Sequence, residues 1–273
     1  MAGPTNYPNA LAPTGPDFLA LTGNYFSGNV RWVDSTNSNA SDAANTGLEP
    51  ELPKATVFGA GTGAYAASTA GDLIVCGSSH AETISAAVTM GTADIMIVGL
   101  ANGALRPKFT SAVAGVMLTI TANRLYFFNC YFPASTAATT ARINVNAGTD
   151  FHLVTCQMDF GANDTTNGVT IAAGASNTEF EDTIFTAVAS RPARAVQVTG
   201  AVNGLFFDGC VFDGGAFGWT SRAFEANAVV TGAIVRDTVL LNRSDWMWTT
   251  VGSLYKCFGL RAGDNTGCRL FMP

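Results

Sequence analysis

The feature that most limits what this chain can fold into is a recurrence of about 27 residues. Five segments align without gaps: YFFNCYF (126–132), HLVTCQM (152–158), EFEDTIF (179–185), FFDGCVF (206–212) and IVRDTVL (234–240). Their fifth positions, Cys130, Cys156, Thr183, Cys210 and Thr238, are 26, 27, 27 and 28 residues apart. Two residues later stand Phe132, Met158, Phe185, Phe212 and Leu240; three residues earlier stand Phe127, Leu153, Phe180, Phe207 and Val235. Both columns are apolar throughout. The residue before each anchor is Asn129, Thr155, Asp182, Gly209 or Asp237. Asn, Asp and Gly tolerate left-handed backbone, so a tight bend is expected at this column. Such a bend explains an inward spacing of three where an unbroken strand would use two.

A second set of strands keeps the same step: Leu118/Ile120, Ile143/Val145, Val169/Ile171, Val196/Val198 and Phe224/Ala226. Each pair alternates with variable residues, as a strand with one buried face does. Two independent columns on one period predict coils stacked in register, with Phe180 on Phe207 and Phe185 on Phe212 as internal aromatic ladders. An antiparallel sandwich would also show short strands and many turns, but it does not require one residue class at one phase in every coil.

Composition narrows the partners. Charged residues make up 12% of the chain, against roughly 25% in an ordinary soluble domain. The formal charge is −6, with only three lysines, Lys54, Lys108 and Lys256. No basic stripe is available to neutralise phosphate or anionic lipid, so neither nucleic acid nor membrane is an expected partner. No apolar run approaches the ~20 residues of a spanning helix, and the opening MAGPTNYPNALAPTGPDF lacks the pattern of a signal peptide. The sequons at Asn39, Asn163 and Asn242 therefore carry no expectation of glycosylation.

The expected organisation is an extended, proline-rich arm over 1–29 that anchors the chain, a capping region with the first strands over 30–92, coils over 93–242, and a C-terminal cap or contact segment over 243–273. Within the capping region, the small residues of 53–70 suggest a short amphipathic helix over the open end of the stack. The last segment is rich in aromatics, with Trp246, Trp248, Tyr255, Phe258 and Phe271.

The order VDS…N, AGDLIVCGSSHAETI (70–84), ADIMIVGLANGALRPKF (93–109) and then coils of the form FxxCxF resembles the pectin-lyase-like right-handed parallel β-helix, over about residues 30–242. It is most similar to the versions found in tailed-phage virions as head spikes and tail spikes. The resemblance implies an all-β, right-handed, single-stranded β-helix assembled as a homotrimer, made in the bacterial cytoplasm and carried on the virion. It further implies that an arm at the N-terminus holds the chain to the major capsid protein or another virion component. Polysaccharide-digesting spikes of this kind begin with a larger particle-binding domain, where only 1–29 are free for the purpose here. The expected role is therefore that of a non-enzymatic capsid decoration that stabilises the shell or gives weak adhesion. The alternative is a tail spike that binds or cleaves a host surface glycan.

The candidate chemistry is sparse. Glu181, Asp208 and Arg236 share one column in consecutive coils. Two carboxylates about 5 Å apart suit the acid and nucleophile of a retaining glycosidase. The same three residues also make an ordinary outward charge ladder, which is the preferred reading. Asp182 and Asp237 fall in the bend column and are expected there on conformational grounds. Arg106 with Lys108, and Arg191 with Arg194, are the basic residues a lyase would need, but no acidic cluster for calcium accompanies them. The turn DFGANDTTN (159–167) has oxygen ligands for calcium, yet its Asn, Asp and Gly are also the usual turn residues. His80 and His152 are the only histidines, and nothing in their positions joins them in one site. No CxxC occurs, so the six cysteines are expected as buried free thiols, with Cys257 and Cys268 open to a local disulfide. No cofactor and no metal site is expected.

Overall fold

The computed structural model describes residues 27–188, 193–216 and 218–242, together with the backbone of three short strands at 245–248, 261–262 and 269–271. The anchoring arm apart from residues 27–29, Arg191, the aromatic residues of 243–273 and the Cys257/Cys268 pair lie outside the described residues or side chains. Among the described residues no helix is long and apolar enough to cross a membrane. The chain divides into two compact units, one drawing on residues 1–82, 92–108 and 126–130, the other on 83–91, 109–125 and 131–273.

In the first unit, β1 (Val30–Val33), β2 (Leu73–Cys76), β5 (Ile95–Gly99) and β8 (Leu125–Phe128) follow one another in a sheet. The strands β3 (Ala81–Ile84) and β6 (Lys108–Ser111) fall at sequence boundaries between the units. Parallel register sets Val30 by Leu73 by Met96, and Trp32 by Val75 by Val98. Trp32, Leu73, Val75, Met96 and Val98 form a buried apolar cluster. The Asp72 carboxylate accepts from the backbone of Asn29 and Thr69 and from Arg31 Nε at 2.9 Å. Burial opposes its charge, but these donors outweigh burial and hold its pKa below the usual carboxylate range.

No helix forms over 53–70. The segment is a series of turns: Gly63 N and Ala67 N reach carbonyls four residues back, but Ala64 N and Tyr65 N go eight back, to Thr56 and Val57, and side chains take donors before them. The Asp42 carboxylate accepts from the backbone N–H groups of Ala55 and Thr56, and Thr56 Oγ1 accepts from Gly59 N. Lys54 Nζ donates to the carbonyls of Asp42 and Thr62 at 2.6 and 2.9 Å. Gly63 cannot be larger, since a Cβ there would lie 2.6 Å from Val57 O. The segment still buries Val57, Phe58, Ala64 and Tyr65, but without helical geometry.

The second unit is a parallel β-solenoid. One sheet runs β4 (Val88–Met90), β7 (Gly115–Ile120), β10 (Thr139–Val145), β13 (Asp164–Ile171), β16 (Arg194–Val198), β19 (Phe224–Ala226), β22 (Asp245–Trp248) and β24 (Arg269–Phe271). A second runs β11 (Phe151–Val154), β14 (Ser176–Glu181), β17 (Val202–Asp208) and β20 (Val230–Arg236). A third runs β9 (Tyr131–Phe132), β12 (Gln157–Phe160), β15 (Ile184–Ala187), β18 (Val211–Asp213), β21 (Val239–Leu241) and β23 (Arg261–Ala262). Every pairing found in these sheets is parallel, and each strand lies beside its counterpart one coil away.

The expected columns are in place. Leu118, Ile143, Val169, Val196 and Phe224 are aligned and fully buried. Phe180 stacks on Phe207 with centroids 4.9 Å apart and planes 10° off parallel, and Phe185 stacks on Phe212 at 4.8 Å and 13°. The bend column is left-handed at every position: φ is 54° at Asn129, 50° at Thr155, 46° at Asp182, 62° at Gly209 and 48° at Asp237.

Two features of the coil were not read from the sequence. The anchor side chains do more than fill space. Cys130, Cys156, Thr183, Cys210 and Thr238 each donate to the carbonyl two residues earlier, across the bend, at 3.0–3.6 Å. Small size plus one donor is the requirement that alternates Cys with Thr. Cys76, Cys130, Cys156 and Cys210 are buried thiols in no disulfide, and burial pushes the Cys210 thiol up to about 12. A second left-handed column, Asp150, Asn177, Gly204 and Gly232, turns the chain into the β11–β20 sheet, with Asn177 Nδ2 donating to Asp150 Oδ1 at 2.9 Å.

Candidate functional site

The paired carboxylates of the sequence reading fall on the outward face of the β11–β14–β17–β20 sheet. Side chains alternate along each strand, so Leu153, Phe180, Phe207 and Val235 enter the core. The residues on either side of them face out. Register then builds two outward columns, His152–Glu179–Phe206–Ile234 and Val154–Glu181–Asp208–Arg236. The left-handed residue that follows each strand ends it immediately after the second column, which fixes where these side chains leave the wall.

Charges on this face are largely matched. Arg236 Nη2 donates to Asp208 Oδ2. His152 Nδ1 lies 2.9 Å from Glu179 Oε2, and this contact, outweighing burial, holds the Glu179 carboxyl below its usual range. Glu181 lacks such a match. Burial, and then the charges of Glu179, Asp182 and Asp208, push its pKa up. The face thus sets a carboxyl biased toward protonation one coil, about 4.8 Å, from a carboxylate held by arginine. Glu181 and Asp208 are brought together as the spacing required. The Glu179–His152 pair was missed, although the same step of 27 residues that aligned the anchors would have found it.

The other candidates disperse into structural roles. Asp182 and Asp237 are bend residues. Arg194 is paired with Glu225. In the 159–167 turn, Asp164 is bound by Arg142, with Nε to Oδ1 at 2.7 Å and Nη2 to Oδ2 at 2.9 Å. Asp164 also accepts from Ser135 Oγ at 2.6 Å and Gly161 N at 2.8 Å. Arg142 is fully buried, and its remaining N–H groups reach the carbonyls of Phe132 and Asp159. Burial works against the charge of Asp164, but Arg142 and the neighbouring donors hold its pKa below the usual range. Asp159 accepts from the Tyr131 hydroxyl at 2.6 Å. These carboxylates carry donors where calcium would need open oxygen ligands, and among the described residues no group of three or more His, Cys, Asp or Glu could hold a metal. His80 lies with Glu82 in the first unit, Nε2 to Oε2 3.7 Å, while its Nδ1 accepts from Ser35 N.

No protein-family profile matches the chain, and no curated protein matches it. Among solved structures, a rhamnogalacturonan lyase is similar over 81% of this chain and 70% of its own, at 12% identity and a TM-score of 0.48. That likeness is too slight to support a conclusion about activity, and the β-solenoid stands on the strand register alone.

Proposed function

We propose that this chain is a non-enzymatic structural protein of a tailed-phage virion, a homotrimeric β-helical decoration on the capsid, held through residues 1–29 to the major capsid protein or another virion component. The observation that carries the non-enzymatic part is that Asp208 is engaged by Arg236 and Asp164 by Arg142, and Asp182 and Asp237 serve the bend, which leaves Glu181, of the candidate catalytic pair, without a charge partner among the described residues. The second unit has a core of stacked rings, and its anchor side chains bridge the bend column, a build that suits a decoration. The virion setting rests on the resemblance of the 70–109 string and the FxxCxF coils. Antibody labelling of phage particles under the electron microscope tests it. Label on the capsid is the expected result; absence of the chain from purified particles would overturn it.

A second reading has one observation in its favour. Glu181, biased toward protonation, stands beside Asp208, which accepts from Arg236, and two neighbouring carboxyls in unlike surroundings are what a retaining glycosidase uses. On that reading the chain is a tail spike that cleaves a host glycan, label appears at the tail tip, and Glu181→Gln abolishes release of sugar from host polysaccharide.

A further inference from the structure

In the first unit, β2 and β5 are buried on both of their faces. Register sets Val30 by Leu73 by Met96 and Trp32 by Val75 by Val98, with Arg31, Ile74 and Ile97 between these columns. Alternation sends the two sets to opposite sides of the sheet. Tyr126 and Phe128 flank Phe127, which is turned into the coil with its ring 6.5 Å from that of Phe58. They pack instead on the Trp32 side, together with Val30 and Leu100. Trp32, Leu73, Val75, Met96 and Val98 therefore form the centre of an apolar surface on the outward face.

Strand neighbours shield an outward side chain from its flanks and leave its tip to solvent. The outward residues His152, Val154 and Phe206 of the second unit are part-exposed in this way. Val75 and Val98, by contrast, are 0% and 1% exposed, and Trp32 is 5% exposed. Burial of that degree needs a layer over the sheet. The loop that follows β1, residues 34–52, does not supply it, because its large apolar residues, Leu48 and Leu52, are both exposed. The 53–70 turns place Phe58 on the opposite side, against Phe127.

We infer that residues 17–26 of the same chain cross this outward face and cover it. The point of entry is set by Gly28 N, which donates to Gly71 O at 2.9 Å, and by Asn29 N, which donates to Asp72 Oδ1 at 2.7 Å. A Cβ on Gly28 would lie 2.4 Å from Asp72 Oδ1, so the chain reaches Val30, a member of the surface, pressed against the start of β2. Crossing four strands takes about 14 Å at ~4.8 Å per strand, a distance that roughly five residues span. The stretch DFLALTGNYF (17–26) has one charge, no proline and the apolar residues Phe18, Leu19, Leu21, Tyr25 and Phe26, which is what an apolar face with no polar partner to offer requires. Pro4, Pro8, Pro13 and Pro16 all precede it. Residues 1–16 are then the part of the arm left to reach a partner, and the cover stands whether or not that partner belongs to a virion.

The test is photocrosslinking on the full chain, with p-benzoylphenylalanine in place of Phe18 or of Tyr25 and with heavy-isotope and unlabelled chains mixed. Expected are links within one chain to peptides that carry Trp32, Val75, Val98 or Tyr126. Links between chains would make a second copy the occupant and overturn the inference, as would links only to other regions or none from either position. Deletion of 1–16 should leave the fluorescence of added anilinonaphthalene sulfonate unchanged, whereas deletion of 1–26 should raise it roughly threefold or more and drive self-association. A synthetic 17–26 peptide should reverse both effects. Unchanged fluorescence after deletion of 1–26, or a rise that the peptide does not reverse while the photolinks fall elsewhere, would overturn it. Loss of particle attachment in the 1–16 deletion bears on the virion reading alone.

Discussion

Replacing Phe207 with Ala is the sharpest probe of the ladder. The ring is fully buried, stacked on Phe180 at 4.9 Å and edge-on to Phe212 at 5.8 Å and to Phe224 at 5.4 Å. An aromatic ring of this kind removes about 150 Å² of apolar surface from water, roughly 4 kcal/mol at ~25 cal/mol per Å². The three ring contacts add to this less than additively, and the coils above and below restrain collapse of the cavity. The expected loss is therefore at the upper end of the range for Phe→Ala, about 5 kcal/mol. Phe206, its neighbour, faces outward and is half-buried, so Phe206→Ala should cost under about 1.5 kcal/mol. Urea unfolding followed by tryptophan fluorescence and far-ultraviolet circular dichroism together measures both, and the two signals show whether coils melt separately. Equal losses at 206 and 207, or a loss below about 1.5 kcal/mol at 207, would refute the inward and outward assignment.

Thr155 holds φ 50° with its hydroxyl buried and unmatched, so Thr155→Asn should stabilise the coil by about 1 kcal/mol in the same urea assay. Arg142→Met strands the buried Asp164 carboxylate and should cost about 3–5 kcal/mol; the Arg142→Met/Asp164→Asn double variant should recover much of it. Because the folded pKa of Asp164 is depressed, its contribution is present above the ordinary carboxylate range and fades as pH falls through the folded value, which melting curves from pH 7 to 2 will register. Glu179 and Glu181 should behave oppositely. Glu179 is depressed and Glu181 raised, so at pH 7 Glu179→Gln should lower the melting temperature and Glu181→Gln raise it. Both differences should shrink as the pH drops below the carboxylate range.

The fold was legible in the sequence because a solenoid turns linear spacing into contact. Residues one period apart become neighbours in adjacent coils, so the column Phe180–Phe207 and the column Glu181–Asp208–Arg236 were visible as a step in the numbering. The left-handed bend was visible too, since only certain side chains tolerate it. Thr155 is the exception that the column had to accommodate.

Contacts that leave the period were not legible. Arg142 meets Asp164 across 22 residues, short of the period, where the register between β10 and β13 shifts at Thr139/Ala141, and no spacing rule predicts such a shift. The turn that reads as open oxygen ligands is closed by an arginine from the preceding coil for that reason. The 53–70 segment likewise exchanged the expected helix for turns, with Asp42 and Lys54 supplying hydrogen bonds from outside the spacing a helix uses. Periodic packing is encoded residue by residue along the chain; the pairing of buried polar groups depends on which aperiodic segment comes to lie over them, and that is settled only when the whole stack has formed.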